Sequence, residues 1–481
     1  MFIKIILSFL FISDNSLNLY LPFIKNFSDN FPINSYQYFF ENYSVSYFSH
    51  PPLMLIISSI SFMIFSLFSN IHLTLIDIFL FNIPLLISYI LILVILLIII
   101  PNKKKEIILI YWLSPIIIYV NYIHGELHII SIILLLFSFY FLFLKRNYYS
   151  SIFLGLSLAT KTGVLLIMPF FYIYMFKKKY NIKEIFTHLI LTFLVYIIFI
   201  IPFASRSLFY TIYNSESHFK IFDLYIDFSN NVFFYFMLAL YAYFLFKAFS
   251  FHKITKRVLL MITGVIFTLL VTLIAPPPSW YILALPFIAY FFIINKSNKL
   301  ILYFCFNFLF LIYLFLIPYS EVFRVFQIIS PKISNIPNLY NIINDLGLDS
   351  SKILSISFTL LTANLFYISY LMYNYGVKSS LLFQQKEGIP LIGISGDSGS
   401  GKTTVSKIIA KMFGLSNTNI ICGDDVHKWE RQDKNWENFT HVNPISNEIH
   451  LHCKQIESMN NKQEVLRRKY DHKTGKFTSP K

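Results

Sequence analysis

Charged residues are scarce in this sequence. Only 13% of its 481 residues are Asp, Glu, Lys or Arg, which is about half the share that is usual in soluble domains. Hydrophobic residues make up 56% of the chain, and the mean hydropathy is +0.62. Many apolar runs are about 18 residues long or more, which is enough to cross a bilayer. The composition therefore excludes an ordinary soluble protein and predicts a polytopic membrane protein.

Cysteine and glycine are also rare. The three cysteines, Cys305, Cys422 and Cys453, show no paired spacing, so neither a disulfide framework nor a zinc site is predicted. Glycine accounts for only 14 residues, and no internal repeat is visible. Transporters often have two related halves with helices broken by Gly and Pro. The low glycine content therefore argues against a transporter.

Acidic residues are outnumbered by basic ones, 24 to 39, and the net charge is +15. A charge of this sign can attract nucleic acid, but the positions of the basic residues indicate a different role. They form short clusters between the apolar runs, at 103–105, 145–146, 177–183, 253–257 and 296–299. Cytoplasmic loops of membrane proteins have this pattern. We therefore predict contact with a lipid bilayer and no nucleic-acid partner.

The apolar runs predict an α-helical membrane domain over residues 1–375. About ten spans are expected, at residues 2–12, 77–100, 107–123, 127–144, 185–203, 232–250, 257–275, 279–295, 299–318 and 353–374. Residues 51–69 are assigned to a helix at the outer interface, because a further span there would move every later basic loop outside. Residues 150–176 are too short for two crossings, so we expect a re-entrant hairpin that breaks near Lys161–Gly163.

The composition changes after Tyr375, where the hydrophobic runs end. Residues 376–387 are interpreted as a linker, and a charged module extends from 388 to 481. The basic loops place this module in the cytoplasm, and they place the loops 14–50, 204–231 and 319–352 outside. The sequence thus predicts an integral protein of the cell's inner or plasma membrane.

A phosphate-binding loop begins this module. GDSGSGKT at 396–403 has the P-loop spacing, an apolar run at 389–395 precedes it, and a helical pattern follows, as the motif requires. We therefore predict a partial α/β P-loop domain with a parallel sheet. Backbone N–H groups of the loop surround the phosphates. The predicted nucleotide-binding residues are Gly396, Asp397, Ser398, Gly399, Ser400, Gly401, Lys402, Thr403 and Thr404.

Several side chains in this module have predicted chemical roles, with ATP and Mg²⁺ as cofactors. Lys402 is expected to act on the β- and γ-phosphates, and the Thr403 hydroxyl is expected to hold Mg²⁺. Asp424 and Asp425 follow a second predicted strand at 419–422. A carboxylate that takes the proton of an acceptor hydroxyl is needed here, so both are candidates for the base. The alternative is a pair of solvated turn acids.

Four motifs, GDSGSGKTT, GDDVHKW, FTHVNP and KYDHKTGKF, resemble the phosphoribulokinase/uridine kinase family of P-loop kinases. The resemblance implies ATP-dependent phosphorylation of a small hydroxylated metabolite, of nucleoside or sugar-phosphate type, with Asp424 as the catalytic base. It also implies that the acceptor is bound by His427, Lys428, Arg431, His441, Tyr470, Asp471 and His472. The family's domain is longer than 388–481, so we expect only its N-terminal half, in a fragment or an incomplete kinase.

Residues 1–374 resemble the GT-C-fold membrane glycosyltransferases, which use a polyprenyl-phosphate sugar donor. The resemblance is based on Asp14 after the first span and on the motifs HPPL, HGEL, GLSLATKTG and APPPSWY. Asp14 is predicted to be a catalytic base or to hold a metal. Lys161, a cation at membrane depth, is predicted to bind the lipid-linked phosphate. The alternatives are an ordinary loop acid, a snorkelling lysine, and a wet turn at His124 and Glu126.

Three functions agree with these features. The favoured one is a bifunctional enzyme with a sugar transferase outside and a kinase inside. A transporter regulated by nucleotide is the second. The third is a P-loop module that binds ATP without turnover.

Overall fold

The computed structural model describes residues 2–43, 48–68, 74–213, 219–229, 232–251, 254–274, 277–295, 300–317, 339–377, 391–397, 399–415, 418–460 and 463–480. The chain divides into two compact units, residues 1–384 and 385–481. The boundary falls in the stretch interpreted as a linker. Most of that stretch, the basic cluster 296–299 and most of the loop 319–352 lie outside the described residues.

The first unit is built mainly of α-helices. These are Phe2–Leu10, Leu21–Asp29, Ser35–Tyr43, Pro52–Ser66, Thr74–Ile99, Lys104–Ile107, Pro115–Ile118, His128–Phe143, Asn147–Thr160, Met168–Lys177, Ile182–Ile200, Arg206–Tyr213, Phe236–Ser250, Lys256–Leu273, Leu285–Ile294, Leu300–Leu316, Leu339–Asp345 and Ser350–Leu371. Further turns are π-helical (Ser16–Tyr20, Ile108–Trp112, Tyr119–His124, Met372–Val377) or 3₁₀ (Thr162–Leu166, Ile201–Phe203, Lys220–Phe222, Pro278–Leu283). One antiparallel hairpin pairs Tyr225–Asp227 with Phe233–Tyr235.

Four helical segments in the described part of the chain are long and apolar enough to cross a membrane. They are Thr74–Ile99, Ile182–Phe203, Lys256–Leu273 and Ser350–Val377. A fifth candidate is formed by Lys104–Trp112 and Pro115–His124, which meet at an angle of 59°. The prediction of about ten spans is therefore not confirmed. The five remaining predicted spans are helices of only 9 to 17 residues.

Proline explains why two of the predicted spans are interrupted. Pro115 begins the second half of the bent pair. Pro278 begins a 3₁₀ turn, and Pro286 lies at the start of Leu285–Ile294. Proline has no N–H group, and its ring clashes with the preceding helical turn. An apolar run that is continuous in the sequence therefore becomes two shorter helical pieces.

The predicted break near Lys161 is present in the structure. The helix Asn147–Thr160 ends directly before Lys161, whose backbone is extended with φ −153° and ψ 120°. The 3₁₀ turn Thr162–Leu166 and the helix Met168–Lys177 follow. Lys161 therefore lies between two helical segments and belongs to neither of them.

Buried serines join the helix His128–Phe143 to Asn147–Thr160. Ser157 Oγ donates a hydrogen bond of 2.8 Å to the carbonyl oxygen of Ser131. Closer to the connecting turn, Ser150 Oγ donates to the Ser138 carbonyl at 3.0 Å, and Ser138 Oγ donates back to the Ser150 carbonyl at 2.9 Å. These side chains are small enough to let the two backbones approach each other.

Gly155 allows the neighbouring helix Ile182–Ile200 to approach closely. A Cβ atom at this position would lie 2.6 Å from the carbonyl oxygen of Thr192 and 2.7 Å from the Cβ atom of Val195. The absence of a side chain at Gly155 therefore sets the distance between these helices. The segment that ends at Lys161 is thus held firmly on two sides.

The second unit contains two α-helices, Lys402–Phe413 and Ile449–Asn460, and the 3₁₀ turns Gly423–Val426, Lys434–Glu437 and Pro444–Ser446. Among its described residues, two strands are paired, Tyr470–Asp471 and Lys476–Phe477, which form an antiparallel ribbon.

The predicted parallel sheet does not form among the described residues, because 391–397 and 418–422 have no strand pairing. Their apolar side chains are uncovered: Ile392 is 56% and Ile420 is 51% exposed. Parallel strands require neighbouring strands and covering helices. The described part of this unit provides neither beside these two stretches.

Candidate active site

The phosphate-binding loop has the backbone that its glycines predict. Gly399 and Gly401 have φ angles of +81° and +83°, in the left-handed region where glycine carries little strain. At Gly396 a Cβ atom would lie 2.8 Å from Ser400 Oγ. The helix Lys402–Phe413 begins directly after Gly401, and its first N–H groups are available to an anion.

Lys402 folds back over this loop. Its Nζ atom donates hydrogen bonds to the carbonyl oxygens of Gly396 and Asp397, at 2.5 and 2.7 Å. These neutral oxygens hold the amine at the place where phosphate oxygens would form stronger, charge-assisted bonds. The side chains of Thr403 and Thr404 are exposed on the first helical turn, whereas Ser398 lies outside the described residues.

Asp424 lies between a histidine of its own motif and a histidine of the distant motif KYDHKTGKF. It lies in the turn Gly423–Val426, and 46% of its side chain is exposed. Its Oδ1 atom is 3.4 Å from His427 Nε2, and its Oδ2 atom is 3.4 Å from His472 Nε2. A solvent-accessible carboxylate with an imidazole at each oxygen is suited to accept a proton.

His427 is the buried member of this cluster, at 8% exposure. Its Nδ1 atom lies 2.7 Å from Asn447 Oδ1. The rings of Trp436, His441 and Tyr470 surround it, with centroid distances of 5.5, 6.4 and 5.8 Å. The motifs GDDVHKW, FTHVNP and KYDHKTGKF therefore meet at this imidazole.

The ribbon that carries His472 is held by Arg431 and Asp471. Arg431 Nη2 donates to the carbonyl oxygen of His472 at 2.7 Å. Both oxygens of Asp471 close the turn, because they accept from the Lys473 N–H and from the Thr474 hydroxyl at 2.9 Å each. These hydrogen bonds lower the pKa of the Asp471 carboxyl, and the one from the Lys473 N–H has the largest effect. Asp471 therefore positions the turn in this structure.

Lys428 lies next to His427, and its side chain is exposed. Its N–H group donates to the carbonyl oxygen of Ser446 at 2.9 Å. The side chain is therefore available to an anionic ligand near the cluster.

The geometry gives Asp425 and Asp424 different surroundings. Asp425 Oδ1 accepts the N–H of Tyr470 at 2.9 Å, so this carboxylate fastens the ribbon. Arg468 donates to the carbonyl oxygens of His427 and Asp425. Arg468 and Asn447 were not predicted as site residues. The basic run before Tyr470 was a signal for Arg468, whereas no spacing in the sequence singled out Asn447.

The phosphate loop and the carboxylate between two imidazoles lie in the part of the chain that resembles known proteins. Residues 391–481 match the model of the Phosphoribulokinase / Uridine kinase family. The predicted resemblance of the C-terminal region is thereby confirmed.

Three relatives show the same relationship. The phosphoribulokinase of Synechocystis sp. is 33% identical over 96 residues, which cover 20% of this chain and 29% of the relative. The chloroplastic phosphoribulokinases of Arabidopsis thaliana and Mesembryanthemum crystallinum are 27% and 26% identical over 107 residues, with coverage of 19% of this chain and 27% of each relative. The chain therefore spans less than a third of the length of these relatives.

The first unit contains a second cluster of polar side chains. His124, Glu126 and His128 are 5%, 7% and 3% exposed, so the alternative of a wet turn is wrong. Glu126 contacts His128 Nδ1 directly and lies 3.9 Å from His124 Nε2. Burial opposes the charge of Glu126, but the two histidines lower the pKa of its carboxyl. The ring of His50, which was not predicted as a site residue, lies 5.2 Å from that of His128.

Asp14 is tied to this cluster through the backbone. Ser13 N–H donates to the carbonyl oxygen of His124 at 2.9 Å. The Asp14 carboxylate accepts from Asn18 Nδ2 at 2.8 Å and is partly buried. No group of three or more His, Cys, Asp or Glu side chains suited to a metal is found in the described residues.

Lys161 is buried, and it lines a cavity. Its Nζ atom lies 5.3 Å from the ring centre of Trp280, and its exposure is 9%. Among the described residues, no carboxylate lies within ion-pair distance of it. The other residues that line the cavity are almost all apolar: Ser131, Ile132, Gly163, Val164, Leu166, Ile221, Phe267, Leu270, Ile274, Trp280 and Leu283.

Proposed function

We propose that residues 388–481 provide the nucleotide loop and the base of an ATP-dependent kinase that acts on a hydroxyl group of a small metabolite. The observation that carries this proposal is the pair of 3.4 Å contacts from Asp424 to His427 and His472. The phosphate loop in the same unit supplies the site for the phosphoryl donor. The match of residues 391–481 to the kinase family supports both assignments.

In the proposed reaction, the acceptor oxygen attacks the γ-phosphorus of ATP, and the bond to the bridging oxygen of ADP breaks. The hydroxyl proton passes to Asp424. Lys402 exchanges its two carbonyl partners for phosphate oxygens and stabilises their negative charge. The exposed Thr403 hydroxyl is the group that would hold Mg²⁺, which neutralises phosphate charge when bound.

The acceptor is proposed to be of nucleoside or sugar-phosphate type. The exposed cation of Lys428 and the guanidinium of Arg431 belong to the segment that carries His427. Cations of this kind bind phosphate groups, so they favour a sugar phosphate over an uncharged nucleoside. The curated relatives are named phosphoribulokinases, which supports the same choice.

The test uses the purified full chain with ATP, Mg²⁺ and a panel of nucleosides and sugar phosphates. Formation of ADP and of the phosphorylated product is measured by mass spectrometry. At least one acceptor should be phosphorylated, and Asp424→Asn should reduce the rate by about 10²–10⁴-fold while ATP binding persists. The exposed Glu437→Gln serves as the control. ATP binding without turnover on every acceptor would instead support a regulatory nucleotide-binding module.

We also propose that the first unit spans a membrane and transfers sugar from a polyprenyl-phosphate donor. The supporting observation is that Lys161, a buried lysine, lines an apolar cavity. A phosphate group at Lys161 would compensate its charge, and an isoprenoid chain would contact Phe267, Leu270 and Ile274. Asp14, tied to the neighbouring polar cluster by the Ser13–His124 hydrogen bond, is the proposed base.

This second proposal is tested with the chain in lipid nanodiscs and a panel of labelled polyprenyl-phosphate sugars. Asp14→Asn should reduce transfer by about 10²–10⁴-fold, as expected for loss of a base. Lys161→Met should weaken donor binding, whereas Asp29→Asn and Glu41→Gln should have smaller effects. Failure of the intact chain to use any donor would contradict the transferase, and solute flux in proteoliposomes would then support a transporter.

A further inference from the structure

The side chain of Asn447 has its orientation fixed by two carbonyl groups. Its Nδ2 atom donates to the carbonyl oxygens of His441 and Asn443, at 2.9 and 3.0 Å. Because carbonyl oxygens only accept, the nitrogen of the amide must face them. The Oδ1 atom of Asn447 therefore faces His427, where it lies 2.7 Å from Nδ1.

This orientation determines the protonation state of one nitrogen of His427. An amide oxygen only accepts hydrogen bonds, so the Nδ1 atom of His427 must carry the proton. The Nε2 atom is then the nitrogen that gains or loses a proton. It lies 3.4 Å from Asp424 Oδ1, the oxygen of the proposed base.

The backbone around Asn447 keeps this arrangement rigid. Residues His427 and Asn447 form an antiparallel bridge. The N–H groups of Lys428 and Glu448 donate to the carbonyl oxygens of Ser446 and Val426, at 2.9 and 2.8 Å. The imidazole and the amide are therefore held on two segments that are joined by backbone hydrogen bonds on both sides of their contact.

We propose that Asn447 is a positioning residue, which keeps Nε2 of His427 directed at Asp424 so that the proton taken from the acceptor hydroxyl moves on to His427. This inference rests on the proposed kinase reaction. In the step, the O–H bond of protonated Asp424 breaks and an Nε2–H bond forms. Asp424 returns to the carboxylate, and His427 becomes an imidazolium that donates from both nitrogens. No electrons are transferred.

The other groups around His427 define the charge that the imidazolium meets. Asp424 stabilises it, whereas the guanidinium of Arg468, which contacts the His427 carbonyl oxygen, opposes it. The rings of His441 and Tyr470 face it at 6.4 and 5.8 Å. His472 lies at the second oxygen of Asp424. Asp424 is therefore the one carboxylate among the described residues that faces Nε2 of His427 within ion-pair distance.

Two variants of the full chain test the role of Asn447. Asn447→Leu removes the acceptor for Nδ1, and Asn447→Asp keeps an acceptor and adds a negative charge. Both lose the two hydrogen bonds from Nδ2, so that loss is common to them. The exposed Asn438→Ala is the control. The measurements are the exchange of the His427 C2 hydrogen against pH, followed by peptide mass spectrometry, and the pH profile of kcat.

The two variants should move the titration of His427 in opposite directions. Asn447→Asp stabilises the imidazolium, so the midpoint of exchange and the rising limb of kcat should move to higher pH by about one unit. Asn447→Leu should move the midpoint to lower pH and reduce kcat by about tenfold or more, with little change in the KM for ATP. The control should follow the wild type.

A shared result in both variants would overturn the inference. If both lower kcat but leave the exchange midpoint and the pH profile unchanged, Asn447 has only a structural role. If the wild type phosphorylates no acceptor, the kinase proposal fails, and with it the proton step. The exchange data then still decide separately whether Asn447 controls the protonation of His427.

Discussion

The Nζ atom of Lys402 lies 2.5 Å from the carbonyl oxygen of Gly396, so the lysine closes the loop to which it belongs. A nucleotide must replace this contact. Lys402→Ala removes the cation, and we expect ATP–Mg²⁺ binding to weaken at least about 100-fold. Polarisation of a fluorescent ATP analogue measures this. Lys407→Ala, an exposed lysine on the same helix, is the control, and an equal loss in both variants would contradict a specific role.

Asp425 is expected to stabilise the ribbon. Its side chain is 12% exposed, and it accepts the N–H of Tyr470 at 2.9 Å. Asp425→Ala leaves that N–H without its partner, at a cost of about 1–3 kcal/mol. Hydrogen exchange of the peptide that contains Tyr470 should become faster in Asp425→Ala and remain unchanged in Asp424→Asn. Equal protection in all three proteins would show that Asp425 does not fasten the ribbon.

The reactivity of the Cys422 thiol is expected to depend on the charges of Asp424 and Asp425. Cys422 is exposed overall, but partial desolvation raises the pKa of its thiol, and the charges of Asp425 and Asp424 raise it further. Because the thiolate is the reactive form, the thiol should react slowly with iodoacetamide below this raised pKa. Asp425→Asn lowers the pKa and should accelerate alkylation of Cys422 by about threefold or more at pH 8. Cys453, exposed in the same unit, is the internal reference, and an unchanged ratio of the two rates would contradict this.

Gly155 sets the distance between two helices of the first unit. In Gly155→Ala the new Cβ atom would lie 2.6 Å from the backbone oxygen of Thr192, which cannot rotate away. Overpacking typically costs about 1–3 kcal/mol, which exceeds the gain in helix propensity of about 0.5–1 kcal/mol. The midpoint of thermal unfolding should therefore fall. Gly163→Ala, where the nearest atom is 3.9 Å away, should leave the midpoint nearly unchanged, and equal midpoints in both variants would contradict the packing argument.

The orientation of the chain is a further prediction, based on the basic clusters between the apolar runs. Ser28→Cys and Ser479→Cys are introduced separately into a chain without other cysteines. In intact cells, an impermeant maleimide should label the first position, and it should label the second only after permeabilisation. Labelling of the Ser479 position in intact cells would show that the predicted orientation is wrong.

The phosphate loop could be predicted because its signals are local. Gly399 and Gly401 occupy left-handed positions, which the sequence alone specifies through residue type. The parallel sheet could not be predicted as reliably, since a strand at 391–397 depends on partners elsewhere in the chain. Their position after a predicted strand left Asp424 and Asp425 equivalent, and only the family resemblance favoured Asp424 as the base. In the structure, the positions of His472 and Tyr470, far along the chain, distinguish the proposed base from the structural acid.

For the helices of the first unit, too, some features could be predicted from the sequence and others could not. Hydropathy located the apolar runs and the break at Lys161, but it did not show that proline divides other runs into shorter pieces. The polar residues around Gly125 were compatible with a turn that is exposed to water. They are buried because Ser13 and His50, from other parts of the chain, pack against them. Burial of this kind depends on the tertiary arrangement and has no periodic signature.

The serine contacts between His128–Phe143 and Asn147–Thr160 also bear on how these two helices would leave water if the first unit spans a membrane, as proposed. In each helix taken alone, these hydroxyls would lose the carbonyl partners that they have on the opposite helix, and leaving a polar group without a partner in an apolar environment is costly. When the helices are paired, the hydroxyls of Ser138, Ser150 and Ser157 each donate a hydrogen bond to a carbonyl oxygen of the opposite helix. If the first unit is a membrane domain, we therefore expect desolvation to be cheaper for the two helices together than one after the other, and we expect the pair to insert as one unit.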